Sequence, residues 1–223
     1  MNYVLIGCGG TGGWLATCLA KTAGPGDLLT LVDGDKFERK NMERQLACRP
    51  GQNKAAALAS FLRTRADVNA VQEYFDPDTQ LPDGPGLLFC GADNHRARLR
   101  CLQYVDSHRG WITVICGNGW SDAEAYVYLP EWNRNEHLDP REYYPELSED
   151  TTGDPLSPPC TGEIVDSTPQ LAIANMTAAG YGMWLSYYWT TVFPELTDQD
   201  ARDTSVFHVM SSAGRITTKK VKQ

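Results

Sequence analysis

Seven cysteines occur in this chain, yet no two of them form a Cys-x-x-Cys pair. Their number is odd and their spacing irregular, so neither a structural zinc site nor a disulfide framework is expected. No zinc is therefore expected. The thiols read as free side chains in a reducing cytoplasm, in keeping with the lack of a secretory leader. An excess of basic charge is also missing: 28 acidic residues against 20 basic ones leave a formal charge of −8. That balance argues against a general binder of phosphate backbones, and no nucleic-acid partner is expected. One stretch, from Ser167 to Pro194, lacks charge altogether. It is long enough to span a bilayer. However, Gln170, Asn175, Thr177, Ser186, Thr190 and Thr191 would stand without partners in hydrocarbon. We read it as a buried helix, with no membrane partner.

What is present begins with a short β-rich run, Tyr3 to Ile6, that leads directly into Gly7-Cys8-Gly9-Gly10-Thr11-Gly12-Gly13. Trp14, Leu15, Cys18 and Leu19 then recur at helical spacing, and Leu28 to Val32 forms a second strand ending on Asp33. Strand, glycine loop, helix and strand make a βαβ unit, which implies a right-handed parallel arrangement. Further elements are expected as a helix over Lys54 to Arg65, strands over Ala70 to Phe75 and Leu87 to Cys90, and a helix over His95 to His108. Strands over Trp111 to Cys116 and Ala123 to Leu129 come after it, the last with one more polar face. Proline-rich residues 130–168 read as a crossover segment without regular periodicity. The uncharged helix comes next, and Phe207 to Met210 with Arg215 to Thr218 form a closing hairpin. The expected fold is thus α/β: one domain over residues 1–223, with a Rossmann-like, mostly parallel sheet and an antiparallel continuation.

The chemistry is concentrated in the first hundred residues. Gly7, Gly9 and Gly12 allow a tight turn and close approach of a phosphate to a helix N-terminus, where unpaired N–H groups attract anions. Asp33, at the end of the second strand, can accept hydrogen bonds from a ribose hydroxyl. Taken alone, these features specify a nucleotide and leave a nicotinamide cofactor open. Asn41, Arg44, Gln45 and Lys54 shift the balance. A hydride-transferring enzyme leaves the pyrophosphate intact and has no need of added cations there. An adenylating enzyme has to neutralise charge growing on a departing pyrophosphate. Asp93 directly follows a buried strand, where a carboxylate can hold magnesium against a triphosphate. It can equally cap the next helix.

Together, Asp33-x-Asp35, Asn41-x-x-Arg44-Gln45, Gly51-x-x-Lys54 and Asp93-Asn94 resemble the E1-like ThiF/MoeB/HesA superfamily that activates ubiquitin-like proteins. Residues 122–127 and 170–175 resemble, within it, the ThiF-like members of the ParB-related, ThiF-related cassette. The resemblance implies ATP and Mg²⁺ as cofactors, with Gly7, Gly9, Gly12 and Asp33 around the nucleoside. It implies Asn41, Arg44 and Lys54 on the phosphates with Gln45 close by, and Asp93 as the magnesium ligand. A ubiquitin-like protein substrate, a homodimer and an E2-like partner are also implied. Cys160, in Pro158-Pro159-Cys160-Thr161, is similar to the thioester-forming cysteine of eukaryotic E1 enzymes, and reads either as that nucleophile or as an inert thiol. His95, His108, His137 and His208 are too dispersed to form a metal cluster. Two other function classes stay open at this point, an NAD-dependent oxidoreductase and a nucleotide-binding dimer without catalysis.

Overall fold

The computed structural model describes residues 1–130, 139–150, 171–192, 206–212 and 215–220. Among these residues, eight strands form one sheet in the order β3-β2-β1-β4-β5-β6-β7-β8. The parallel part comprises β1 (Asn2–Ile6), β2 (Leu28–Val32), β3 (Asp67–Val71), β4 (Gly86–Cys90) and β5 (Trp111–Asn118). The antiparallel continuation comprises β6 (Ala123–Tyr128), β7 (Val206–Ser212) and β8 (Arg215–Lys220). Among the described residues, six α-helices accompany them: α1 (Gly10–Thr22), α2 (Lys54–Leu62), α3 (His95–Ser107), α4 (Pro140–Tyr143), α5 (Glu146–Glu149) and α6 (Ala172–Tyr187).

The period-two alternation of the strands divides the core in two. Leu5, Leu29, Leu31, Leu87, Phe89, Val114 and Val127 face α1, α2 and α6. Val4, Ile6, Leu88, Cys90, Ile115, Tyr126 and Tyr128 face α3 and Leu147 of α5. Both faces of β1, β2, β4 and β5 are covered, which is why their sequences are largely apolar rather than alternating, whereas β3 at the sheet edge exposes Asp67 and Asn69. The helices bury the residues that their spacing indicates: Ala55, Leu58, Ala59 and Leu62 in α2, and Ala97, Cys101, Tyr104 and Val105 in α3.

Two expectations, on the third strand and on the crossover segment, need correction, and the polar face of the sixth strand finds partners. The third strand is Asp67–Val71, not Ala70 to Phe75, because its register is set by the five residues of β2. The Asp33 N–H donates to the Val71 carbonyl and closes the ladder, while Phe75 enters the core from the following loop. The more polar face of β6 is not left in solvent. Tyr126 stacks on Tyr144, and the Tyr128 hydroxyl donates to Asp106 beneath Arg141. The crossover segment has regular structure of its own in α4 and α5, the first capped by Asp139. The uncharged helix packs one side on β5, β6 and α1 and leaves Ile173, Met176, Trp184 and Tyr187 exposed on the other. Among the described residues, no helix is long and apolar enough to cross a membrane.

Candidate nucleotide site

Strand order reverses between β1 and β4, since the chain leaves β1 for β2 on one side and reaches β4 on the other. Open α/β sheets form a crevice beyond the strand carboxyl ends at such a point. Here the crevice is a cleft of about 940 Å³ lined by the glycine loop, the segments after β2, β4 and β5, and the first turns of α3.

The loop after β1 turns at Gly7, whose φ of 85° favours glycine, and α1 begins at Gly10. Gly9 occupies the N-cap and offers no side chain to the first-turn N–H groups, so those donors remain for an anion. Gly7 and Gly9 border the cleft, whereas Gly12 stands behind them. A methyl group at Gly12 would overlap the Gly7 carbonyl oxygen. Gly12 therefore lets the helix close on its own loop and does not line the cleft.

A charged cluster lies beside the loop. Asp33 is buried, and its carboxylate accepts the Cys8 N–H at 2.6 Å and the Asp35 N–H at 2.8 Å. Burial pushes its pKa up, against the opposing pull of Lys54 and of these two N–H groups. Asp33 thus ties the end of β2 to the glycine loop. Asp35 accepts from Lys54 Nζ at 2.8 Å and from the Tyr74 hydroxyl at 2.6 Å. Burial acts to raise the Asp35 pKa, but these two donors outweigh it and hold the carboxyl below its ordinary range. Burial likewise acts to lower the Lys54 pKa. The charges of Asp33, Asp35 and Asp93 prevail, so the ammonium stays charged at neutral pH. Lys54 is held at α2's start because Asn53 caps that helix and donates to the Asp33 and Asp35 carbonyls.

Arg44, Asn41 and Gln45 enter from the other wall, on the turn around the 3₁₀ segment Arg39–Asn41. Asn41 is buried, and its Oδ1 accepts the Glu38 N–H in a capping box, so it shapes the turn that carries Arg44. Gln45 lines the cleft and is buried, and its Oε1 has no hydrogen-bond partner among the described residues. Asp93 is exposed at the cleft edge. The helix cap is its neighbour Asn94, whose Oδ1 accepts the Ala97 N–H at 2.8 Å, and the capping alternative for Asp93 is thereby removed. The fit to magnesium is good on this ground. Magnesium is commonly held by one or two carboxylates plus substrate phosphates, and Asp93 offers one carboxylate not committed to a cap. No group of three His, Cys, Asp or Glu residues able to hold a metal occurs among the described residues. Cys160 lies outside the described residues.

Several cleft residues escape sequence reasoning. Thr11 Oγ1 donates toward both Asn118 Oδ1 (2.8 Å) and Asn175 Oδ1 (3.0 Å), so β5 and α6 meet at the first turn of α1. Asn175 is fully buried and its Nδ2 has no partner among the described residues. These three residues are separated by up to 164 positions, and only the amide side chain of Asn175 in an uncharged helix hints at the contact. Tyr74 lies over Gly34 against the cleft, and Arg98 borders its β5 end.

The comparisons with known proteins agree with this geometry. The chain is 23% identical over 142 residues to the tRNA threonylcarbamoyladenosine dehydratase of Haemophilus influenzae, covering 60% of this chain and 54% of that protein. In fold it is similar to PaaA, with a TM-score of 0.69 and 18% identity, and to Escherichia coli MccB solved with ATP, with a TM-score of 0.66 and 16% identity. Both superpositions cover all of this chain and 64% of the other. The chain thus spans about half of the curated relative and under two thirds of these structures. The family model that matches residues 1–128 is that of the ThiF family, and the chain belongs to it.

Proposed function

We propose that this protein is an ATP-dependent adenylating enzyme that activates the C-terminal carboxylate of a small ubiquitin-like protein. One observation supports the reading most directly. A lysine ringed by Asp33, Asp35 and Asp93 shares a cleft with Arg44 and with the open N-terminus of α1. In the reaction, a carboxylate oxygen attacks the α-phosphorus of ATP and a new C–O–P bond forms. The bond between the α-phosphorus and the bridging oxygen breaks, and pyrophosphate departs with the electron pair. Loop N–H groups hold the phosphates in line, while Lys54 and Arg44 offset the charge that develops on the leaving group. Asp93 would hold Mg²⁺, which when bound supplies further charge neutralisation at the phosphates. Asp33 presents its carboxylate to the nucleoside, and Gln45 stands close to the phosphates. Thioester transfer to Cys160, and onward to an E2-like partner, belongs to the same proposal and rests on the sequence alone.

Family membership and the structure of MccB with AMPCPP and MccA, a protein similar in fold (TM-score 0.67, 17% identity), support a carboxylate-activating reading over a redox one. A homodimer is part of the proposal. The uncharged outer side of α6, with Ile173, Met176, Trp184 and Tyr187, is the surface a second copy would cover. Sedimentation velocity should show a dimer that Trp184→Glu dissociates; a monomer at micromolar concentration removes this part. The decisive assay is exchange of labelled pyrophosphate into ATP in the presence of candidate ubiquitin-like proteins. Exchange that needs the free C-terminal carboxylate is expected, whereas binding of NAD in preference to ATP would sink the reading.

A further inference from the structure

On the adenylation reading, ATP occupies the glycine loop and the Asp33–Lys54 side of the cleft, and the role of the opposite end rests on that reading. The opposite end is bordered by Cys116, Gly117 and Asn118 of β5 and by Arg98 of α3. Arg98 differs from Arg141, another half-buried arginine. The Arg141 guanidinium is shared among Asp106, Asp139 and the Tyr128 hydroxyl. By contrast, Arg98 Nε is buried with no hydrogen-bond partner among the described residues, and Arg98 forms no ion pair with them. A charged donor left in this way strongly favours an incoming anion.

The wall beside Arg98 is cut back to admit it. A methyl group on Gly117 would lie 2.9 Å from Arg98 Nη2 and 2.9 Å from Glu124 Oε1. Glu124 is the acid across this gap, but its Oε2 stands 3.5 Å from His208 Nε2, and Tyr144 also reaches it. Arg98 acts on Glu124 through charge without a salt bridge. Its guanidinium is therefore free of an ion pair among the described residues, and its planar fork matches a carboxylate in two parallel hydrogen bonds. The nucleotide phosphates have their own cations in Arg44 and Lys54. Arg98 also lies on the first turns of α3, which starts just after Asp93, and both residues line the same cleft.

We propose that Arg98 receives the carboxylate that is to be activated, and thereby selects substrates ending in a free acid over those ending in an amide. The test uses the whole protein, titrated with and without Mg²⁺ and the α,β-methylene analogue of ATP. The probes are a short peptide ending in Gly-Gly with a free carboxylate and the same peptide amidated, followed at millimolar concentration by ligand-observed NMR. Wild-type protein should bind the acid and not the amide. Arg98→Gln should weaken the acid by about tenfold to a hundredfold, the range for losing a charge-assisted contact. Arg98→Lys should retain part of the affinity, and nucleotide affinity should not change in either variant. Glu124→Gln should strengthen acid binding by removing a like charge. Equal binding of acid and amide overturns the proposal, as does Arg98→Gln that leaves acid binding intact. A lower melting temperature of unliganded Arg98→Gln would make Arg98 a structural counter-ion, and lost nucleotide affinity would make it a phosphate ligand. Both results also overturn it. Failure of wild-type protein to bind the nucleotide analogue defeats the adenylation reading instead, and the titrations without nucleotide still score Arg98.

Discussion

Asp93 and Asn94 are adjacent and chemically alike, yet the fold divides two duties between them. Asn94 caps α3, so Asn94→Ala should lower stability by about 1 kcal/mol, measured by urea unfolding, whether or not nucleotide is present. Asp93 takes no part in the cap. Asp93→Ala should therefore leave the unliganded protein as stable as before and abolish the extra stabilisation that Mg²⁺ adds to ATP binding. Glu124 permits a pH prediction. Burial alone would raise its pKa, but the hydrogen bond from His208, the charge of Arg98 and the Tyr144 hydroxyl together hold it below the ordinary value. A depressed carboxylate contributes stability above its unfolded pKa of roughly 4.3 and loses it as pH falls through the lower, folded value. Glu124→Gln should consequently flatten the loss of stability on acidification below about pH 4.3, read from thermal unfolding across pH.

At the level of elements, the start of α1 is held from three directions. It abuts its own loop through Gly12, and Thr11 ties it to β5 and α6. Gly12→Ala places a methyl group against a backbone oxygen that cannot move aside, and should cost about 1–3 kcal/mol or more together with nucleotide affinity. Thr11→Val keeps the shape but leaves the carbonyl ends of Asn118 and Asn175 without their shared donor. A loss of about 1–3 kcal/mol is expected by chemical denaturation. The starts of α2 and α3 were legible because alanines and leucines recur there at helical spacing, although α2 ends at Leu62 and not at Arg65. The misplaced third strand shows the opposite case: its ends depend on β2, a partner nearly forty residues away, and a run of apolar residues cannot report that register.

For the whole molecule, the cleft couples nucleotide binding to folding, because it exists only when β1, β2, β4 and β5 are aligned. Mg-ATP at a hundred times its dissociation constant should add about 2.7 kcal/mol of stability. For a chain of this size that corresponds to a rise of about 5–10 °C in melting temperature. NAD should add little, and a larger shift with NAD would contradict the proposed function. The amino-acid sequence alone was enough for the parallel βαβ start, the antiparallel continuation and eight of the residues that line the cleft, among them Asp33, Lys54 and Asp93. Those features depend on local spacing: a glycine loop between strand and helix, a carboxylate at a strand end, a cation a few residues on. The tertiary structure decided which of two neighbouring polar residues caps α3, that Gly12 packs behind the loop, and that Thr11, Asn118 and Asn175 meet. It also decided that Arg98 faces the cleft without a hydrogen-bond partner at Nε among the described residues, while Arg141 is fully engaged. Each of these turns on contacts between segments far apart in sequence, whose partners are chosen by the packing of two layers of helices on one twisted sheet.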